Sequence, residues 1–145
     1  MNYTKATKIK EVQRAWHIVD VKDQILGRVA TRIAKLLMGK GKPYFVKNLD
    51  CGDYVVVENA QQIRVTGKKA SQKLYMRYSG YPGGLKKKPF EEVLKTNPTR
   101  IIREAVSGML PQNKLRASFL KKLYIFPDDN HQYKNKVTES KTKSS

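Results

Sequence analysis

The chain has 145 residues, enough for one ordinary domain with a sizeable core. Its 30 Lys and Arg stand against 12 Asp and Glu, a formal charge of +18, while 39% apolar residues still suffice for a core, so disorder throughout is not expected. No uninterrupted aliphatic or aromatic run exceeds four residues, as in Tyr54–Val57, far short of the roughly 20 that a membrane-spanning helix requires.

Trp16-His17-Ile18-Val19-Asp20 reads as a buried strand, aromatic and β-branched. From Leu26 to Met38 the apolar set Leu26, Val29, Ala30, Ile33, Leu36 and Leu37 repeats at helical spacing, with Arg28, Thr31, Arg32 and Lys35 opposite. Asp23 is the predicted N-cap of this helix and Gly39 its stop. A flexible basic turn, Gly39-Lys40-Gly41-Lys42-Pro43, then leads towards Tyr54–Glu58, a strand dense enough in valine to sit centrally. Strand, helix, strand implies a parallel pair.

Ile63 and Val65 alternate with Arg64 and Thr66 in a shorter extended piece, and Leu74–Tyr78 is a further strand. Gly80-Tyr81-Pro82-Gly83-Gly84 breaks regular structure. Lys86-Lys87-Lys88 precedes Pro89, predicted in the first turn of a short helix with Phe90, Val93 and Leu94 inward. Asn97-Pro98 opens another helix, with Ile101, Ile102, Ala105 and Val106 inward and Gly108 as its left-handed stop. Leu115, Phe119 and Leu120 mark one more helical segment, and Leu123–Phe126 a last strand. Beyond Pro127 the chain is polar and without apolar period.

The expected organisation is a basic N-terminal extension over 1–15, one α/β domain over 16–126 and a loosely ordered tail over 127–145. The expected fold is a three-layer α/β/α domain around a mostly parallel sheet of about four strands. The first fifteen residues hold no apolar stretch of the kind a secretory leader carries. A single cysteine, Cys51, cannot form an intrachain disulfide, which fits a reducing compartment and a cytoplasmic protein.

Divided along the chain, the charge is +3 over 1–15 and +5 over each of 16–70, 71–100 and 101–145, so it is no basic tail on a neutral body. One-signed charge of this size opposes compactness, and a surrounding polyanion relieves it. Solubility alone needs only a net charge of about 2 to 8. Nucleic acid is the partner that this balance favours.

Catalytic and metal chemistry find little support. His17 and His131 are far apart in sequence, and one Cys gives no zinc spacing. Asp50 and Asp53 flank Cys51-Gly52 in a turn before a strand, where a magnesium ion could sit, although Asp in turns commonly bonds its own backbone. Neither G-x-S-x-G nor a phosphate loop of the nucleotide enzymes occurs. No catalytic residue, metal ligand or cofactor is therefore assigned.

What remains is basic and aromatic. Lys68, Lys69, Lys73, Tyr75, Arg77, Tyr78, Tyr81, Lys86, Lys87 and Lys88 fall within one short stretch, with Gly83 and Gly84 offering close backbone approach. Cations neutralise phosphates, and exposed tyrosines stack on unpaired bases. Arg28, Arg32 and Lys35 on the polar side of the first helix, and Lys40 and Lys42 in the basic turn, complete the upstream candidates. The alternative at each is a solvated face, with Tyr75 or Tyr81 packed on the core.

Five strings occur in order: Leu26-Gly27-Arg28-Val29-Ala30; Asn59-Ala60 followed by Thr66-Gly67-Lys68-Lys69; Lys73-Leu74-Tyr75; Ser79-Gly80-Tyr81-Pro82-Gly83-Gly84; and Gly108-Met109-Leu110-Pro111. Together they closely resemble the ribosomal protein L thirteen family of the large subunit, over about residues 14–126, the Gly-Met-Leu-Pro string with its basic flank being the most specific part. Arg116-Ala117 stands where bacterial members commonly have Gly-Arg, Tyr78 replaces a usual His, and Gln132 follows His131 where Pro is usual.

The resemblance implies a parallel α/β/α domain embedded in large-subunit ribosomal RNA, with a structural and early-assembly role, no catalysis, and neighbouring ribosomal proteins as contacts. Lys114, Arg116, Lys121 and Lys122, in the basic flank, join the candidate RNA contacts. No homo-oligomer and no membrane partner are expected. The rival readings are a regulator that binds messenger RNA and a magnesium-dependent enzyme acting on RNA through Asp50 and Asp53.

Overall fold

The structure is a computed structural model, and it describes residues 5–137. Strands β1 (Trp16–Asp20), β2 (Tyr54–Glu58) and β5 (Leu123–Ile125) form a parallel sheet in the order β1-β2-β5. Its register pairs Trp16 with Tyr54, Val19 with Val57, and Val55 with Leu123. Strand β2 is central, and Val55, Val56 and Val57 are completely buried, as a parallel strand covered on both faces requires. Helices α1 (Leu26–Met38), α2 (Lys69–Gln72), α3 (Phe90–Thr96), α4 (Pro98–Met109) and α5 (Leu115–Lys121) fill the crossovers. The fold is α/β with a mostly parallel sheet.

The number of strands in the parallel sheet and the pairing of one of them differ from expectation. The piece around Ile63 and Val65 makes only a single parallel bridge, Ile25 with Arg64, so the parallel sheet has three full strands. Strand β3 (Leu74–Tyr78) does not join it. It forms an antiparallel hairpin with β4 (Leu85–Pro89), which contains the three lysines expected just ahead of a helix. Pro89 caps α3 rather than opening it.

Adding strands in one direction, each by a right-handed crossover, puts all connecting helices on one face of the sheet. Accordingly α1, α4 and α5 pack against one another. Their core joins Ile33, Leu37, Ile101, Ile102, Val106 and Phe119 to Val19, Val55, Val57 and Leu123. The opposite face carries Trp16, Tyr54 and Tyr124, with Trp16 stacked on Tyr54 at 4.4 Å and on Tyr133 at 5.4 Å. Tyr133 also lies 4.6 Å from Tyr124, and Phe126 stacks on His131 at 5.0 Å. Residues 134–137 add a helical turn that buries Val137. The described part of the C-terminal segment thus covers the second face, where its polar composition announced no packing; residues 138–145, and residues 1–4 of the N-terminal extension, lie outside the described residues.

Two helix ends are built otherwise than the sequence suggests. Asp23 does not cap α1: it sits in a turn at φ +58, its carboxylate on Arg64 at 3.1 Å, and the helix starts from Ile25, whose extended backbone is held by the bridge to Arg64. Gly108 does not stop α4, which continues to Met109 and ends at an extended Leu110, the conformation that the following Pro111 imposes. Gly39 does end α1, at φ +79, with Cys51 so close that a side chain would meet its carbonyl oxygen at 2.4 Å.

Gly52 is the tightest point of this region, because a Cβ there would lie 1.5 Å from the Leu37 carbonyl oxygen. Gly52→Ala is expected to lower the unfolding free energy by about 1–3 kcal/mol or more. Gly27→Ala, inside α1 with open space around it, should instead raise it by about 0.5–1 kcal/mol. Urea unfolding followed by circular dichroism measures both; equal effects would contradict the close approach at Gly52.

Candidate nucleic-acid interface

The acidic residues explain which cations are left over. Asp50 and Asp53 bracket the turn that delivers the chain into β2, and each carboxylate accepts from three donors. Asp50 Oδ1 accepts the Gly52 amide at 3.1 Å, lies 3.3 Å from Arg14 Nη1, and forms a buried pair with Lys122. Asp53 accepts the Ala15 amide at 3.0 Å, Lys42 Nζ at 2.7 Å and His17 Nε2 at 2.8 Å. Burial alone would raise the Asp53 pKa, but the hydrogen bonds from His17, Lys42 and the Ala15 amide outweigh it and bring it down to about 2.

The turn proposed as a magnesium site is therefore an internal clamp. It ties residues 14–17, Lys42 and Lys122 to one point, with Asp50 Oδ1 and both Asp53 oxygens held by the chain's own donors. Among the described residues no group of three or more His, Cys, Asp or Glu is placed to hold a metal ion. Elsewhere Glu11, Asp23, Glu92 and Glu104 pair with Lys5, Arg64, Lys88 and Arg100, and Glu58 pairs with buried His131. Asp20 accepts the Lys22 amide and the Asn59 side chain, both at 2.9 Å.

Most predicted contacts then stand exposed in three groups. On α1, Arg28, Arg32 and Lys35 face solvent, and Lys40 follows in the turn after it. Beside them Met109 comes within 3.5 Å of the Thr31 hydroxyl, which brings the C-terminal end of α4 to the polar side of α1. An open cleft of about 340 Å³ lies at the start of the helix, lined by Asp23, Gln24, Ile25, Arg28, Val29 and Arg32.

The second group is the hairpin with α2: Lys68, Lys69, Lys73, Arg77, Tyr78, Tyr81, Gly83, Lys86, Lys87 and Lys88 are exposed. Gly84 is partly covered within the hairpin loop, where its amide bonds the Tyr81 carbonyl at 2.9 Å. The third group flanks α5, with Lys114 and Lys121 exposed and Arg116 partly so.

Three predicted contacts are placed differently. Lys122 is only 6% exposed, and its ammonium reaches Asp50, so it is a structural cation rather than a phosphate ligand. Burial pushes its pKa down, against the opposing pull of Asp50. Lys42 is tied to Asp53 and to the Gln13 carbonyl. Tyr75 is 7% exposed, its ring anchoring the hairpin to the body with Arg100 at 5.8 Å, and it presents no face for a base. Sequence reasoning missed Leu74, Met76 and Leu85, exposed on the hairpin. For Leu74 and Met76, alternation with Tyr75 and Arg77 was the available signal.

A sequence profile of the family described as Ribosomal protein L13 matches residues 14–132. The chain belongs to the ribosomal protein L13 family. Among its family relatives, a protein of Dehalococcoides mccartyi called large ribosomal subunit protein uL13 is 45% identical over 136 residues, 94% of this chain and 95% of the relative. Proteins of the same name from Herpetosiphon aurantiacus and Thermobifida fusca are 48% identical over 128 residues and 46% over 142 residues. These alignments cover 88% and 97% of this chain, and 89% and 95% of the relatives. The family match spans the Asp50–Asp53 clamp and all three basic groups. No helix among the described residues is long and apolar enough to cross a membrane.

The clamp has a pH signature. The folded-state pKa of Asp53 lies below its ordinary 3.8, so its contribution is complete above pH about 4 and is lost as pH falls through about 2. Asp53→Asn should be less stable than the parent by about 2 kcal/mol near neutral pH. The gap should close between pH 4 and 2 in urea titrations; a gap independent of pH would refute the assignment.

Proposed function

We propose that this protein is a structural constituent of the large ribosomal subunit that binds large-subunit ribosomal RNA and supports early assembly of the particle. The observation that carries the proposal is the division of charge just described: most described acids, Glu11, Asp23, Asp50, Asp53, Glu58, Glu92 and Glu104, pair within the chain, while cations stand outward in groups around α1, the hairpin and α5. Arg28, Arg32, Lys35, Lys40, Lys68, Lys69, Lys73, Arg77, Lys86, Lys87, Lys114, Arg116 and Lys121 make no ion pair with another described residue. Separate groups of free cations suit a protein with RNA on several sides, each cation releasing counterions from a phosphate.

In this reading residues 16–126 are the RNA-binding domain, with residues 131–137 packed over the second face of its sheet. The relatives named above are large-subunit proteins by name, and that supports the same placement here, with ribosomal RNA and adjoining ribosomal proteins as partners in the cytoplasm. The protein works as a single copy, without cofactor or catalysis: its role is to hold RNA segments in position.

Changing Lys68 and Lys69 together to Ala should weaken association with large-subunit RNA. It should also reduce the slope of log affinity against log salt by about 1.5, since each lost phosphate contact is worth about 0.7–0.9. Filter binding at several salt concentrations measures this, and an unchanged slope would remove both residues from the interface. In a sedimented cell extract the chain should travel with large subunits through a high-salt wash; recovery only in light fractions would overturn the ribosomal assignment.

A further inference from the structure

The β3–β4 hairpin has two unlike faces. Antiparallel register puts Tyr75 with Lys88 and Arg77 with Lys86 on one; Leu74 with Pro89, Met76 with Lys87 and Tyr78 with Leu85 form the other. On the first face Tyr75 alone is buried, while Arg77, Lys86 and Lys88 stay exposed. On the second, Leu74, Met76, Tyr78 and Leu85 are 44%, 57%, 64% and 49% exposed, and Tyr81 in the connecting loop is 75% exposed. Of the seven large apolar side chains exposed among the described residues, these five share one hairpin, so the exposure is a patch rather than scatter. A contiguous apolar patch on a folded protein marks a binding surface.

The surrounding charge says what covers it. Residues 68–88 hold seven Lys and Arg and no Asp or Glu, and Lys87 stands inside the patch opposite Met76. The occupant must therefore join dense negative charge to flat apolar surface. An RNA strand with unpaired bases does both, while a perfect duplex offers phosphates but keeps its bases stacked inside. We propose that the Leu74–Met76–Tyr78–Leu85 face, with Tyr81 beyond it, is a platform for unpaired RNA bases whose phosphates are held by the flanking lysines and Arg77. This rests on the RNA-binding reading above and names the part of the RNA that the hairpin takes.

The test compares the full-length protein with Met76→Thr/Tyr78→Thr, both positions being exposed and Thr keeping strand preference. The probes are oligouridylate, which is single-stranded, and an oligoadenylate–oligouridylate duplex of equal length, each titrated at several salt concentrations. The double variant should lose about tenfold or more on the single strand, change little on the duplex, and keep the parent's salt slope, since stacking is lost and phosphate contacts are not. Lys68→Ala/Lys69→Ala should instead lose slope on both.

Undiminished binding of the single strand, the outcome if this face belongs to a protein neighbour, overturns the platform and leaves RNA binding standing. Equal losses on both probes do the same. Failure of the unaltered protein to bind either RNA overturns the broader reading and the platform with it. Should the double variant not fold, Tyr78→Thr alone carries the comparison, with an expected single-strand loss of about fivefold.

Discussion

A chain with eighteen excess positive charges has few acids, and four of them, Asp23, Asp50, Asp53 and Glu58, stand where distant segments cross. The turn before β2 shows this. Asp50 and Asp53 lie next to the buried strand, in reach of Arg14, His17, Lys42 and Lys122, and hold the N-terminal approach, the basic turn and the end of α5 together. An unpaired ammonium at the position of Lys122 would carry a desolvation cost of several kcal/mol, and an unpaired carboxylate beside it likewise. Each makes the other tolerable. The same economy recurs where Glu58 meets His131 and Asp23 meets Arg64, and its by-product is a surface whose remaining charge is almost wholly cationic.

That surface is organised by the fold rather than spread at random. The polar side of α1 faces outward because the opposite side fills the core with Ile33 and Leu37. The hairpin projects because a two-stranded ribbon has no sheet to join; Tyr75 and the packing of α2 and α3 fasten its base. Membership of the ribosomal protein L13 family gives both features a context, a protein whose surroundings rather than whose pocket define its work.

Those elements whose residue pattern matches their environment were legible from the residues alone. Strand β1, helix α1, the central valine strand, α5 and β5 follow from β-branched runs or helical spacing, and the parallel pairing followed from their order. Strand β4 was hidden because three consecutive lysines disfavour a strand, and only its pairing with β3 supplies the reason for one. The packing of the C-terminal segment was hidden because nothing in a polar stretch with one Tyr and one His shows that they will stack on Trp16, Tyr124 and Phe126. At the candidate interface the cations were legible as a class. Which of them point inward was not, since the fate of Lys122 is decided by Asp50, 72 residues away in sequence.

The aromatic cover of the sheet bears on the order of events during synthesis. Trp16 and Tyr54 leave the exit tunnel early, yet the strand that completes the sheet begins at Leu123, and the rings that shield its second face come later still, at His131 and Tyr133. Through most of translation an apolar, cationic nascent chain has no way to close on itself. Residues 131–137 act as a latch on that face, and the newborn polypeptide keeps it open to unwanted association until the latch has dropped.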